Sequence, residues 1–155
     1  MHKYDEVQLP IPDDVSPFFW GSVNSSKIYY GASPSNGNNK PVVVFVHGFI
    51  NLANTWFIPG NNLYDSAYED GYRTAFVATT RGEGMWTNGG LLADMLEDIT
   101  AYYGVNDVVI VAHSNGGKAS EVAMFEHNKD NLVQHNRQNM IQKEENIVYS
   151  LCKYY

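Results

Sequence analysis

The stretch DVVIVAHSNGG, residues 107–117, determines the fold expected for this chain. Residues 108–112 are a short apolar run rich in β-branched side chains, which is typical of a strand buried on both faces. The run stops at His113 and Ser114, two glycines follow, and residues 118–125 have the composition of a helix. We therefore predict a buried strand, a tight turn that presents Ser114, and a helix.

The residues around Ser114 meet the steric needs of such a turn. A serine at the tip of a sharp turn has its hydroxyl clear of the sheet, but the backbone there is crowded against the following helix. Small residues, Ala112 and Gly116, stand two positions to either side. The N–H of Asn115 would open the helix, where the backbone dipole favours the negative charge that grows on a substrate carbonyl oxygen. This pattern predicts a nucleophile with an oxyanion donor beside it.

The five residues Ala112-His113-Ser114-Asn115-Gly116 resemble the nucleophile elbow of the α/β-hydrolase family. Alanine replaces the first glycine of the motif, as in bacterial lipases. The resemblance implies that Ser114 attacks an ester carbonyl and that His113, beside the serine, supports the motif without acting as the base.

A second motif, PVVVFVHGF, occupies residues 41–49. Its first part, residues 42–46, is an apolar run of strand length, and His47-Gly48 follow directly. The resemblance to lipase-like hydrolases implies that the loop opened by this pair supplies the other oxyanion N–H, that of Phe49. His47 is expected to orient the loop, and a direct chemical role is the alternative.

The alternation of apolar runs and helical patterns predicts the α/β class, with a mainly parallel sheet and flanking helices. We predict an irregular arm over residues 1–17, a hydrolase core over residues 18–126, and an atypical tail over residues 127–155 that is helical or disordered. Within the core, a glycine-rich loop is expected over residues 80–90 and a helix over residues 91–103. The resemblance covers the core and implies a partial α/β-hydrolase fold, its N-terminal half, with the C-terminal strands missing.

The tail lacks the residues that complete a serine hydrolase. All 13 glycines lie at or before Gly117 and all 6 prolines at or before Pro59, and residues 127–146 hold five Asn and three Gln. Acyl transfer needs a histidine base and an acid, which in this family follow the serine on later loops. His127 and His135 lie on or beyond the expected helix, so neither is assigned. The hypothesis is a truncation or a reading-frame change, which would leave the Ser114 strand as an open edge prone to self-association.

Composition limits the other function classes. The chain has 155 residues, the size of one domain, and a formal net charge of −7, which argues against binding nucleic acid or anionic membranes. Its single cysteine, Cys152, excludes an intrachain disulfide. No signal peptide is visible, so the sequence as written predicts a cytoplasmic protein, whereas the resemblance implies relatives that include secreted enzymes.

Cofactor chemistry is not expected. Residues 82–87 begin like a dinucleotide-binding G-x-G-x-x-G, but Thr87 replaces the third glycine, and the segment follows the second core strand instead of the first. No spacing of ligands predicts a metal site, and no cofactor is implied.

The sequence therefore predicts a carboxylic-ester hydrolase of the lipase, esterase or polyhydroxyalkanoate depolymerase type, with a lipid or polyester as substrate. Trp56, Phe57 and Trp86 line an apolar acyl site or, equally, pack in the core and loops. The alternative is a catalytically inactive fragment or a non-catalytic binding protein that retains the hydrolase fold.

Overall fold

The computed structural model describes residues 27–34, 40–51, 53–56, 60–80, 82–134 and 148–151, with residues 54, 126–134 and 148–151 described by their backbone alone. In these ranges five strands alternate with helices: β1 (Lys27–Tyr30), β2 (Val42–Val46), a 3₁₀ turn (Ala53–Trp56), α1 (Leu63–Glu69), β3 (Arg73–Ala78), α2 (Met85–Tyr103), β4 (Val108–Ala112), α3 (Asn115–Gln134) and β5 (Val148–Leu151). None of the described helices combines the length and the apolar character that a membrane span requires.

The strands form one sheet in the order β1-β3-β2-β4-β5. Strands β2, β3, β4 and β5 run parallel, and β1 pairs antiparallel with β3. Val46 at the end of β2 lies opposite Val77 of β3 and Ala112 of β4, so these three strands end at the same edge. The loops that follow them meet there. The predicted α/β class, a mainly parallel sheet with flanking helices, is confirmed.

Alternate residues of the central strands build one core on each face of the sheet. On one face, β2 contributes Val42, Val44 and Val46 to a core shared with α2 and α3. On the other face, Phe45 packs with Trp56 of the 3₁₀ turn at a ring-centroid distance of 5.2 Å. All five residues of β2 are buried, as predicted for a strand covered on both faces.

Helix α2 begins at Met85, six residues earlier than the predicted start at residue 91. Gly89 lies inside this helix, where α3 packs directly against it. A Cβ added to Gly89 would be 2.3 Å from Cγ1 of Val122 on α3. The close crossing of the two helices therefore requires a residue without a side chain. Glycine is a poor helix former and indicated a loop, but tertiary packing outweighs its propensity here.

The expectation of an open edge along β4 was wrong. Helix α3 runs across the predicted boundary between residues 126 and 127, and β5 then pairs in parallel with β4, from Val109 opposite Val148 to Ala112 opposite Leu151. Turn signals are absent around this apolar segment in the sequence, but parallel pairing needs only an extended backbone at the right place. The predicted arm, residues 1–17, lies outside the described residues, and self-association stays a prediction.

Candidate active site

Ser114 lies in the turn between β4 and α3. Its backbone has φ 53°, in the left-handed region that residues other than glycine occupy uncommonly. The N–H of Gly116 donates to the carbonyl of His113 at 2.9 Å, and the N–H of Gly117 donates to the carbonyl of Ser114 at 3.0 Å. Ser114 is exposed. The predicted nucleophile thus lies at the tip of a sharp turn with a strained backbone.

The loop after β2 contains the other non-glycine residue with a positive φ among those described. The N–H of Asn51 donates to the carbonyl of Gly48 at 3.1 Å and closes a four-residue turn. Ile50, the third residue of this turn, has φ 62°, the sign that a type II turn requires at that position. Glycine or asparagine is usual there, because a β-branched side chain crowds the backbone in this region. Both strained residues therefore lie in the two loops predicted to supply oxyanion donors.

The two loops contact each other through glycines. A Cβ built on Gly48 would lie 2.9 Å from the carbonyl oxygen of His113 and 3.0 Å from Cβ of Ser114. A Cβ on Gly116 would lie 2.4 Å from the carbonyl oxygen of His47. The obstructing atoms at Gly116 are backbone, so a side chain there would force the loops apart. This contact explains why the two motifs need glycine at these positions.

His47 links the β2 loop to the end of β3. Its ring is buried, Nε2 accepts the backbone N–H of Thr79 at 3.0 Å, and Nδ1 lies 2.9 Å from the carbonyl oxygen of Gly48. Because Nε2 accepts, the proton of a neutral ring is on Nδ1, which then donates to Gly48. The same carbonyl accepts the N–H of Asn51. These bonds fix the peptide between Gly48 and Phe49, in agreement with the orienting role expected for His47.

Phe49 and Asn115 carry the N–H groups predicted to hold an oxyanion. Asn115 is the first residue of α3, so its N–H precedes the helical hydrogen-bonding pattern. Phe49 is the second residue of the Gly48 turn, and its side chain is 51% exposed. Phe49 and Asn115 both lie just beyond parallel strands, at the edge of the sheet that carries Ser114.

The three aromatic residues considered for an acyl site have different environments. Trp56 is only 3% exposed and packs against Phe45, so in this structure it belongs to the core. Trp86 is 64% exposed in the first turn of α2, which follows β3 at the same sheet edge as Ser114. Phe57 lies outside the described residues. Of the two tryptophans, only Trp86 has a side chain exposed enough to contact a ligand.

No base or acid can be assigned among the described side chains. His47 is engaged at both ring nitrogens, and His113 is exposed but adjacent to Ser114. His127 is described by its backbone alone and lies 13 residues beyond Ser114 on α3, about 20 Å along the helix at ~1.5 Å per residue. His135 lies outside the described residues. The described residues also hold no cluster of side chains suited to a metal ion.

Asn88 is a site-supporting residue that the sequence reasoning missed. It is buried on α2, its Oδ1 accepts the N–H of Thr80 at 3.0 Å, and its Nδ2 donates to the carbonyl of Thr80 at 2.9 Å. Nδ2 also lies 3.3 Å from the carbonyl oxygen of Glu83. The loop after β3 is thereby fixed to the start of α2. The sequence carries no signal for this role, because residues 80–90 were predicted to form a loop, where asparagine is common.

A mainly parallel sheet in which a central strand leads through a strained serine turn into a helix, beside a His-Gly loop, is part of the α/β-hydrolase fold. Solved structures of this class match the chain. It is 33% identical to the Bacillus licheniformis lipase BlEst2 over 68% of its own length, covering 42% of the mature form at a TM-score of 0.64 and 23% of the propeptide form at 0.63.

A variant of an epoxide hydrolase from Vigna radiata is 24% identical over the same share of this chain and 34% of its own, with a TM-score of 0.47. The chain thus spans less than half the length of the solved structures it matches. No protein-family model matches it, and no curated protein is significantly similar to it. The match to α/β-hydrolases and the partial fold that the sequence predicted are confirmed.

Proposed function

We propose that this chain carries the nucleophile and oxyanion site of a carboxylic-ester hydrolase, with Ser114 as the nucleophile. The observation that supports it best is the positive φ of Ser114 at the end of β4, with Gly48 packed directly against it. An ordinary turn serine has no need of this conformation. Backbone strain of this kind persists where surrounding structure imposes it, and it is concentrated at reactive sites.

In the proposed reaction, Oγ of Ser114 bonds to the ester carbonyl carbon and gives up its proton to a general base. The carbonyl oxygen becomes an oxyanion that accepts the N–H groups of Phe49 and Asn115. Collapse of this intermediate breaks the bond to the leaving alcohol, which takes a proton, and leaves an acyl-enzyme. Water then attacks the acyl group, restores Oγ of Ser114 and releases the carboxylic acid.

The base is the open part of this proposal. It lies outside the described side chains, and the histidines to examine in this chain are His2, His127 and His135. A serine without its base is a weak nucleophile, although an oxyanion hole and substrate binding can leave a residual acceleration of about 10³–10⁴ over water. A chain with no base would therefore react with strong electrophiles faster than it turns over esters.

The substrate class proposed is an ester with an apolar acyl part, as in a lipid or a polyester. The 33% identical relative is a lipase, and the exposed side chains at the Ser114 edge include the apolar Phe49 and Trp86. The non-catalytic alternative is favoured by the lack of an assignable base among the described side chains. Both classes retain the fold, so only reactivity separates them.

The first experiment measures p-nitrophenyl butyrate hydrolysis and fluorophosphonate labelling by the purified chain. We expect one label per chain on Ser114, absent in Ser114→Ala and retained in Ser66→Ala, a matched exposed serine on α1. Turnover that depends on Ser114 would show that a base is present. Failure of a folded sample to label at Ser114 would reject the hydrolase proposal and leave the binding-protein alternative.

A further inference from the structure

A continuous set of buried polar residues connects the start of α2 with the loop after β2. Among the residues whose side chains the structure describes, six are polar and buried, and four of these belong to the set: His47, Thr79, Thr80 and Asn88. Each of the four is at most 5% exposed. Burying a polar group costs free energy unless a hydrogen bond compensates, so the bonds that join these residues need an explanation.

Asn88 is the end of this set that lies on α2. Its side-chain amide binds both backbone groups of Thr80, with Oδ1 3.0 Å from the nitrogen and Nδ2 2.9 Å from the carbonyl oxygen. This exchange of two hydrogen bonds resembles the pairing of residues in neighbouring strands, and it fixes the orientation of Thr80 as well as its distance. Nδ2 also donates to the carbonyl of Glu83 at 3.3 Å. An apolar residue at position 88 would remove all three bonds.

His47 is the other end of the set. Thr79, joined to Thr80 by a peptide bond, donates its N–H to Nε2 of His47 at 3.0 Å, and Nδ1 of the same ring lies 2.9 Å from the carbonyl oxygen of Gly48. That carbonyl and the N–H of Phe49 belong to one planar peptide unit. A ring that holds the carbonyl therefore also sets the direction in which the Phe49 N–H points.

We propose that Asn88 is a positioning residue for the oxyanion site. By holding the segment after β3 against the ring of His47, it sets the direction of the Phe49 N–H. A hydrogen bond weakens steeply as its angle departs from linear, so a donor must be aimed as well as present. This inference rests on the proposed function, because it takes the Phe49 N–H as a donor to the oxyanion. It adds to that function a residue on α2, outside both motifs.

The alternative is that Asn88 supports only the start of α2. Loss of its bonds would lower the Tm in either case, so the Tm does not separate the two roles. The hydrogen bond between Thr79 and His47 does separate them. A supporting role leaves this bond unchanged in the molecules that remain folded, whereas a positioning role requires that it weaken when Asn88 is replaced.

The test measures this bond by NMR on the ¹⁵N-labelled 155-residue chain, as the scalar coupling between the Thr79 nitrogen and Nε2 of His47. The coupling exists only while the hydrogen bond is formed, and it needs no reaction at Ser114. The variants are Asn88→Leu, which keeps a side chain of similar size, and Asn88→Ala, which keeps a good helix former. The second variant serves if the first does not fold.

Ile99→Val is the matched control. Ile99 is buried on the same helix, 11 residues beyond Asn88 or about 16 Å at ~1.5 Å per residue. Its truncation should lower the Tm by about 2–4 °C without reaching the segment after β3. Fluorophosphonate labelling of Ser114 is measured on the same samples, with the rate corrected for the folded fraction.

We expect the coupling to be reduced or lost in both Asn88 variants and retained in Ile99→Val. Labelling of Ser114 should be about 10-fold slower in the Asn88 variants, a part of the roughly 10²–10³-fold loss caused by removing a whole oxyanion donor. In the control, the labelling rate of the folded protein should match that of the wild type.

A coupling that is absent from the wild type, or equally large in the wild type and a folded Asn88 variant, would overturn the inference. Labelling that slows no more in the Asn88 variants than in Ile99→Val would do so as well. Failure of the proposed function looks different, because the folded wild type would then not label at Ser114 although its coupling is present. Labelling of a wild type whose coupling is indifferent to Asn88 removes only the inference.

Discussion

At the carboxyl edge of the parallel strands, Ser114 and Ile50 are held at positive φ and Phe49 is 51% exposed, whereas at the amino edge Arg73 and Tyr103 are packed and hydrogen-bonded. The same sheet thus carries two residues at positive φ at one end and, at the other, residues that side-chain hydrogen bonds hold in place. A sheet that is rigid and paired along its length can hold a few unfavourable conformations at one edge without unfolding.

The amino edge shows how these pairings are made. The hydroxyl of Tyr103, near the end of α2, donates to the carbonyl of Thr74 at 3.0 Å. The guanidinium of Arg73 lies 5.3 Å from the centre of the Tyr103 ring, and its Nη2 donates to the carbonyl of Lys40 at 3.1 Å. Tyr103 also meets the ring of Tyr30 edge-on, with ring centroids 5.7 Å apart. Changes here should alter stability and leave the Ser114 site intact.

The sharpest test of the strained edge compares two neighbouring glycines of α3. Gly116→Ala should destabilise the fold by about 3 kcal/mol and abolish Ser114 labelling, because its Cβ would meet the His47 carbonyl at 2.4 Å. Gly117→Ala should be neutral or stabilising, since a Cβ there has nothing within 4 Å. Urea denaturation and fluorophosphonate labelling measure both effects. Equal stability of the two variants would show that the loops do not need their close contact.

The second test removes the link between the two loops. His47→Leu leaves the Thr79 N–H without its acceptor and one donor fewer at the Gly48 carbonyl, so we expect a loss of about 2 kcal/mol. Labelling of Ser114 should slow even in the folded protein, by more than the small unfolded fraction explains, because the Phe49 N–H is no longer held in place. His47→Gln, which can still donate and accept, should recover part of both. A labelling rate that His47→Leu leaves unchanged would contradict the orienting role.

The third test acts on the opposite edge through pH. Burial, followed by the charges of Tyr102 and Tyr30, raises the pKa of Tyr103 above its ordinary value of 10.0. Its contribution to stability is fully present below pH 10 and is lost as the pH rises towards the folded pKa, because the unfolded chain releases the proton first.

The free energy of unfolding of the wild type should therefore fall as the pH rises above 10. That of Tyr103→Phe should fall less steeply with pH. At neutral pH the same variant should lose about 1 kcal/mol, the value of one hydrogen bond, with Ser114 labelling unchanged. If the free energies of unfolding of the two proteins fall with the same slope above pH 10, Tyr103 is not the group that causes the loss of stability.

The smallest effect is expected from substitution of Gly90 on α2, and its neighbour Gly89 provides the contrast. Gly90→Ala should raise stability by about 0.5–1 kcal/mol, because its Cβ meets nothing within 4 Å and alanine is the better helix former. Gly89→Ala should lower stability, because its Cβ would be 2.3 Å from Cγ1 of Val122. Thermal unfolding measures the Tm of both variants. A higher Tm for both would mean that α2 and α3 can move apart at little cost in stability.

The sequence predicted the elements best where a single strong pattern was present. The apolar runs of β2 and β4 predicted buried strands, and the residues around Ser114 predicted a turn with small neighbours, because local sterics dictate both. The start of α2 and the pairing of β5 were missed. A glycine is needed at position 89 because of Val122, which is distant in the sequence. Residues 148–151 form a strand because they pair with β4, and their own sequence does not indicate this pairing.

Within the candidate site, the motif residues could be named in advance, but their relation to one another could not. The chain itself determined that Ser114 follows a buried strand and that Gly48 follows another, because each motif is local and each depends on backbone sterics. Only the tertiary structure brought Gly48 against Ser114, placed His47 between Gly48 and Thr79, and left Ile50 strained and exposed. These features depend on distances between separate segments, and the packing of the sheet and its helices sets those distances.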